Sequence, residues 1–162
     1  MKEELEIERG WLLKGMPQGV TFSRVIKQYY FIEDDVFKRV RESNYVNHTE
    51  YHLTIKTPRE DGKIGFIEAE EEISKEVFLE KVQMAHTYIQ KDRFTKPYEV
   101  GRVKLLWEID NFISIPLIKM EMELPEDDFD LPIPDDMAQL IVIETTGMKE
   151  FSNASLSKKL VL

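Results

Sequence analysis

The chain reads as an α+β protein built mainly from an antiparallel β-barrel of about eight strands enclosing a charged tunnel, with a few peripheral helices. Three observations predict it. Short runs that alternate in polarity, separated by clusters of turn-forming residues, recur along the sequence. Within those runs, like charges recur at i and i+2 in both signs, which places a strongly charged face on one side of a sheet. Only one segment, beginning at Ser74, spaces its apolar residues as a helix does. Closing such a sheet would enclose the charged face with water and ligand, and would remove exposed strand edges.

The first strand carries Glu6-Ile7-Glu8-Arg9-Gly10, with Glu6 and Glu8 on one face and Leu5, Ile7 and Arg9 on the other. Lys14 to Gly19 is a turn rich in breakers, and residues 23–32 alternate as a second strand. Glu33-Asp34-Asp35 makes a hairpin tip, after which residues 36–42 return with Arg39 and Arg41 on one face. A loop over 43–50 leads to a strand over 51–57, and Pro58 to Gly65 turns into a strand over 66–73. Ser74 is placed to cap a helix whose Val77, Phe78, Val82, Ala85 and Tyr88 recur at helical spacing. Residues 90–95, then a run starting at Tyr98 or Gly101 and ending at Asn111, then 118–125, read as further strands. Residues 126–134 form an acidic loop broken by Pro132 and Pro134, with its acids in water. A short helix is expected within 135–145 and another after Phe151.

At 162 residues the chain is long enough for one domain with a core and short for two, so 1–162 reads as a single domain. The net charge of -9 argues against a sequence-independent grip on DNA or RNA, which needs basic surface. The absence of cysteine excludes disulfides and thiolate metal sites. His48, His52 and His86 show no metal spacing. No apolar run approaches the about 20 residues that span a bilayer, and Met1-Lys2-Glu3-Glu4 is no signal-peptide start, so a cytoplasmic protein without membrane partners is expected. A homodimer is left open.

The like-charged pairs continue with the acidic triplet Glu68, Glu70 and Glu72, the basic Lys91 and Arg93, then Glu108 with Asp110, and Glu121 with Glu123. Like charges this close repel unless opposite charge sits among them, and a polyanion held through metal ions satisfies both signs. In its ordered motifs the sequence resembles the CYTH, or triphosphate tunnel metalloenzyme, family, whose N-terminal signature is Glu-x-Glu-x-Lys. The resemblance runs over nearly the whole chain. It includes Glu6-Ile7-Glu8-Arg9-Gly10-Trp11-Leu12, Ile26-Lys27-Gln28-Tyr29-Tyr30, Arg39-Val40-Arg41, Leu53-Thr54-Ile55-Lys56 and Glu68-Ala69-Glu70. It continues with Lys91-Asp92-Arg93-Phe94, Trp107-Glu108-Ile109-Asp110, Met120-Glu121-Met122-Glu123-Leu124 and Phe151-Ser152-Asn153-Ala154-Ser155-Leu156. One residue departs from the signature: its lysine is Gly10 here. Lys27, Lys119 and Lys14 are available to supply the missing charge.

The resemblance implies a metal site made by Glu6, Glu8, Asp110, Glu121 and Glu123, holding two Mg2+ or Mn2+ ions. Glu68, Glu70, Glu72 and Glu108 are further inward acids by the same likeness, or else a wet strand edge. Arg39, Arg41, Lys56, Lys91 and Arg93 are implied to grip a triphosphate, with Lys27 and Lys119 as additional cations. Glu6, Glu8 and Lys56 are the residues expected closest to the chemistry. That chemistry would be in-line attack of a metal-activated water on a terminal phosphorus, with no side-chain nucleophile. The substrate is a small triphosphate, inorganic tripolyphosphate being favoured over a nucleotide because the sequence shows no aromatic base-stacking box. Two alternatives stay open: a class IV-type adenylyl cyclase, and a nucleotide- or polyphosphate-binding protein that does not hydrolyse its ligand.

Overall fold

The computed structural model describes residues 1–158. Ten strands form one antiparallel sheet: β1 (Lys2–Glu6), β2 (Glu8–Leu13), β3 (Thr21–Glu33), β4 (Val36–Asn44), β5 (Thr49–Pro58), β6 (Phe66–Glu72), β7 (Thr87–Val100), β8 (Val103–Phe112), β9 (Ile118–Glu123) and β10 (Ile141–Glu144). Three short helices accompany them: α1 (Lys75–Val82), α2 (Asp135–Ala138) and α3 (Asn153–Ser157). The two strands beyond the expected eight have separate origins. The N-terminal strand divides at Ile7, and the segment read as a short helix supplies β10 as well as α2.

The division at Ile7 shapes the whole sheet. Strand order is β1-β6-β5-β4-β3-β7-β8-β9-β2-β10, so β1 lies at one end and β2 next to the other. One continuous run of chain thus serves both ends. Glu6 pairs with Phe66, Glu8 pairs with Glu123, and the Ile7 carbonyl between them accepts from Leu124 N at 2.7 Å. The sheet is drawn round by a peptide link and not by a closing ladder. The expected closed barrel is corrected accordingly: the ladder stays open, and β1 and β10 remain as edges.

Local sequence explains the turns. Asp34 and Asp35 both take left-handed backbone angles, φ 54° and 60°, which is the two-residue turn that suits a twisted hairpin between β3 and β4. Helix α1 starts where Ser74 accepts from Val77 N, as its capping position predicts. It ends at Val82, earlier than the apolar spacing suggested. Met84 N and Ala85 N close back on Lys81 O and Val82 O, and Tyr88 goes into β7 to stack on Tyr29 at 5.8 Å. Strand pairing took Tyr88 from the helix.

The apolar residues alternate onto the outer face and are covered there. Trp11, Trp107, Met120, Met122 and Leu124 form the main cluster with Leu131 and Met137, the two indoles meeting edge to face at 5.6 Å. Each such buried side chain contributes about 1.5–3 kcal/mol. The proline-broken acidic loop therefore has a packing role through Phe129, Leu131 and Ile133, while its Asp128 and Asp130 stay exposed. A second patch buries Phe78 of α1 against Phe31, Val40 and Leu53. The inner face carries the charges, together with a third apolar cluster in which Tyr30, Ile89 and Phe112 pack with Ile115 and Leu156. Among the described residues no helix is long and apolar enough to cross a membrane.

Candidate active site

Strand parity brings acidic and basic side chains to one inner face. On β3 and β4, Gln28 pairs with Arg41 and Tyr30 with Arg39; on β5 and β6, Thr54 pairs with Glu70 and Lys56 with Glu68. On β7 and β8, Arg93 pairs with Asp110, and on β8 and β9, Glu108 pairs with Glu121. They surround a cavity of about 680 Å3, within the size range of ligand sites. Glu6, Glu8, Arg39, Lys56, Lys119 and Glu121 line it. A smaller acidic cavity of about 300 Å3 adjoins it, lined by Glu6, His52, Glu68, Glu70, Glu72 and Glu123.

The basic side is anchored by hydrogen bonds that aim its donors. Arg39 Nη2 donates to Thr54 Oγ1 at 3.1 Å and lies 3.8 Å from Glu70, while its buried Nε has no partner among the described residues. Arg41 Nε donates to Gln28 Oε1 at 2.8 Å, and Gln28 in turn donates to the Tyr30 hydroxyl at 2.9 Å. Burial and the neighbouring guanidiniums of Arg39 and Arg93 push Arg41 down to about 9. A cation cluster short of counter-charge is one that an entering phosphate relieves. Lys56 Nζ donates to Glu6 at 3.0 Å and lies 3.6 Å from Glu68. Burial and Arg39 would lower Lys56, but Glu6, Glu8 and Glu68 outweigh them and keep it charged.

The acidic side consists of carboxylate pairs. Burial, then the charge of Glu121 and a hydrogen bond shared with it, raise Glu8 well above the ordinary carboxylate range. Burial alone would raise Glu121 too, but the bond from Glu8 and the ammonium groups of Lys119 and Lys91 hold it down at about 2. The two carboxyls shift each other in opposite directions, Glu8 upward and Glu121 downward. Glu6 is likewise raised, by burial and by its bond with Glu68. Among the described residues no three acidic or imidazole side chains stand together as a ready-made metal cluster. Magnesium does not need one, since it commonly takes one or two carboxylates and completes its shell with phosphate oxygens and water. The all-oxygen pair Glu8 and Glu121, with Glu6 beside it, fits that pattern.

Four expected residues sit differently. Asp110 is 1% exposed and has both oxygens engaged: Arg93 Nε and Nη2 each donate at 2.8 Å, and Lys91 Nζ lies at 2.8 Å. It braces both cations on the inner face. Glu123 is exposed and lines the smaller cavity, on the same face as Glu8, its partner in the β2–β9 ladder. Lys27 has the opposite parity to Gln28 and points outward, 3.7 Å from Glu42. Lys14 is exposed beyond the end of β2. The remaining cations, Lys91 and Arg93, lie deeper on the inner face, where burial lowers Lys91 to about 8 against the pull of Asp110.

Several contributors were given no site role by the sequence reading. Tyr30 and Phe37 stack at 5.7 Å, nearly parallel, and both line the larger cavity with Ile64 and Phe66. This is an aromatic and apolar flank beside the phosphate-binding cations, and Phe66 also sits under Lys56 Nζ at 5.7 Å. Parity could have found Tyr30 and Phe37, since Tyr30 is two residues from Gln28 and Phe37 two from Arg39. Arg24 was hidden by a bulge between Phe22 and Arg24, and reaches Ser23 at 2.9 Å and Glu108 at 4.0 Å. The segment Thr145–Ser155, which walls the cavity beyond the sheet, carries no strand periodicity at all.

The inner face sets carboxylate pairs against arginines and lysines in an antiparallel sheet gathered at Ile7. Comparison with solved structures identifies this arrangement: the chain has the CYTH, or triphosphate tunnel, fold, as its motifs suggested. Its similarity to the inorganic triphosphatase NE1496 extends over 94% of this chain and 93% of that one, at 25% identity and a TM-score of 0.61. A second structure of NE1496 matches over 96% and 99%, at 25% identity and a TM-score of 0.63. A Bacillus halodurans protein assigned provisionally as an adenylate cyclase shares the fold at 17% identity and a TM-score of 0.51, over 79% of this chain and 84% of its own. No protein-family model and no curated protein sequence matches the chain.

Proposed function

We propose that the protein is a Mg2+- or Mn2+-dependent hydrolase of a small triphosphate. The observation that carries this reading is the division of one cavity into a cationic wall, Arg39 and Lys56 with Arg41 behind, and a carboxylate wall, Glu8 and Glu121 with Glu6 beside them. A triphosphate laid between them meets donors on one side and metal-binding oxygens on the other. The 25% identity with an inorganic triphosphatase over nearly the whole chain supports it.

Each residue then has a distinct task. Arg39 and Arg41 offer forked donors that match phosphate oxygens, and Lys56 adds a point charge next to Glu6. Glu8 gives up its proton when cationic charge arrives, so that Glu8 and Glu121 together present carboxylate oxygens. A divalent ion bound there supplies charge neutralisation of the phosphates and a water of lowered pKa. Water adds to the terminal phosphorus, the bond to the bridging oxygen breaks, and orthophosphate and a diphosphate leave. Asp110 holds Lys91 and Arg93 in place behind the substrate.

The aromatic flank extends the reading to the rest of the substrate. Tyr30, Phe37 and Phe66 adjoin the cations at the cavity wall, where an organic group attached to the triphosphate can stack. An organic triphosphate uses the whole cavity, and inorganic tripolyphosphate uses its charged part only. This flank also favours, as a second reading, a nucleotide-directed activity such as cyclisation.

Product analysis over a panel of tripolyphosphate and nucleoside triphosphates, with Mg2+ or Mn2+, tests these readings. Hydrolysis releases orthophosphate, and cyclisation releases pyrophosphate with no orthophosphate. Tight binding without either product makes the protein a binding module and rejects the enzyme.

A further inference from the structure

On the sheet face of the larger cavity, one wall position has no side chain. Gly10 faces it from β2, and a Cβ built there would stand 3.1 Å from Thr145 Oγ1 and 3.6 Å from Lys119 Cε. The ladder explains the second contact. Gly10 pairs with Glu121, so Lys119, two residues away on β9, is its diagonal neighbour on the same face. The stem of Lys119 lies across the glycine, and the residue is 8% exposed.

Its ammonium is partnered unlike those of the other lysines on the inner face. Lys91 is bound to Asp110 at 2.8 Å, and Lys56 to Glu6 at 3.0 Å. Lys119 Nζ donates to the backbone carbonyl of Phe151 at 2.8 Å, and the one carboxylate within reach among the described residues, Glu121, is at 4.0 Å. A charged donor resting on a neutral carbonyl gains by turning to an anionic oxygen, because charge-assisted bonds are roughly twice as strong as neutral ones.

We propose that Lys119 is the cation this chain uses to grip the phosphate lying against Glu8 and Glu121, and that residue 10 is glycine because Thr145 Oγ1 crowds a Cβ there and the Lys119 stem fills the space a longer side chain would need. The inference rests on the triphosphate reading. On binding, the ammonium exchanges the Phe151 carbonyl for a phosphate oxygen. The competing account makes Lys119 a strut that ties the turn at Lys149–Phe151 to β9. The two differ in what a lysine on the neighbouring strand can restore.

The test is calorimetric affinity for tripolyphosphate with Mg2+ in the native protein, Lys119→Met, Gly10→Lys and the double variant Gly10→Lys/Lys119→Ala, whose alanine clears the stem, with ligand-free melting temperatures alongside. Lys119→Met is expected to weaken binding at least about tenfold, the loss of one charge-assisted bond. Gly10→Lys alone also weakens it, since two stems contend for one space. The double variant recovers most of the affinity, because the new stem enters the space that Lys119 vacates. Lys119→Gln, which keeps a hydrogen-bond donor without the charge, serves if the methionine variant does not fold. Native affinity in Lys119→Met or Lys119→Gln, or a double variant as weak as Lys119→Met, overturns the inference and leaves the triphosphate reading standing. A native protein that binds neither tripolyphosphate nor a nucleoside triphosphate removes the reading and the inference together.

Discussion

Arg93 grips Asp110 with two parallel hydrogen bonds, each 2.8 Å, in a part of the inner face where Asp110 is 1% exposed. Burial alone would raise Asp110, but Lys91 and Arg93 hold it well below the ordinary carboxylate range. Removing it leaves Lys91 without its carboxylate and Arg93 with Glu108 alone, and breaking a buried pair typically costs about 3–5 kcal/mol. Asp110→Asn should therefore unfold at markedly lower urea concentration, while the Mg2+ concentration giving half-maximal triphosphate binding stays as in the native protein. A raised metal requirement at unchanged stability would make Asp110 a metal ligand after all.

The proton on Glu8 sets a pH dependence of unusual sign. Between the ordinary value of 4.5 and its raised folded value, the folded protein holds a proton that the unfolded chain has released. Stability of the ligand-free protein from this group therefore falls as pH rises across that window. Asp110 acts oppositely: its contribution is full above 3.8 and is lost only as pH falls through its lower folded value. Melting temperatures measured from pH 4.5 upward should decline in the native protein and decline less steeply in Glu8→Gln, where the raised Glu6 and Glu123 alone keep that sign. Parallel curves for the two proteins would place the proton elsewhere.

The aromatic flank predicts selective damage. Phe37 is 52% exposed and supported by Tyr30, so Phe37→Ala removes a stacking surface with little loss of core. Stacking on an aromatic side chain contributes about 1–3 kcal/mol. The dissociation constant for a nucleoside triphosphate should rise roughly 5- to 100-fold by that measure, with tripolyphosphate unaffected. Equal weakening of both ligands would assign Phe37 to the fold of the hairpin instead.

Arg41 and Lys27 form a matched pair of controls on strand parity. Arg41 loses a charged donor to phosphate when replaced by Ala, about 1.5–3 kcal/mol of binding. Lys27, on the outer face beside Glu42, belongs to a partly exposed pair whose contribution to stability is under about 1 kcal/mol, and Lys27→Ala should leave binding unchanged. Isothermal titration with tripolyphosphate separates them. A Lys27 variant as weak as the Arg41 variant would mean that β3 presents its other face to the ligand.

Much of this was legible in the sequence because period-two alternation is a local signal. It was enough to put Arg39 with Arg41, Lys91 with Arg93, and Glu6 with Glu8 on shared faces before any pairing was known. Parity within one strand does not say which face is inside, and that is why Lys27 looked as good as Gln28. Nor does it show pairing between strands: the saturation of Asp110 depends on β7 lying beside β8, and the passage of Lys119 over Gly10 depends on β9 lying beside β2. The split at Ile7 was invisible for the same reason, since nothing local marks a residue where the chain changes partners. The wall from Thr145 to Ser155 is irregular backbone placed by contacts distant in sequence.

The central claim is that the charged cavity holds a triphosphate together with a divalent ion, and thermal unfolding with ligand tests it without presuming a reaction. A ligand that binds only the folded state at about 100 times its dissociation constant adds about 2.7 kcal/mol. For a chain of this size that is a rise of roughly 5–10 °C in melting temperature. Mg2+ with a triphosphate should produce that rise in the native protein, orthophosphate with Mg2+ should produce little, and Glu121→Gln should lose most of the response. A melting temperature that stays flat across tripolyphosphate and the nucleoside triphosphates, with metal present, would contradict the account and leave an ordinary sheet with a wet, charged face.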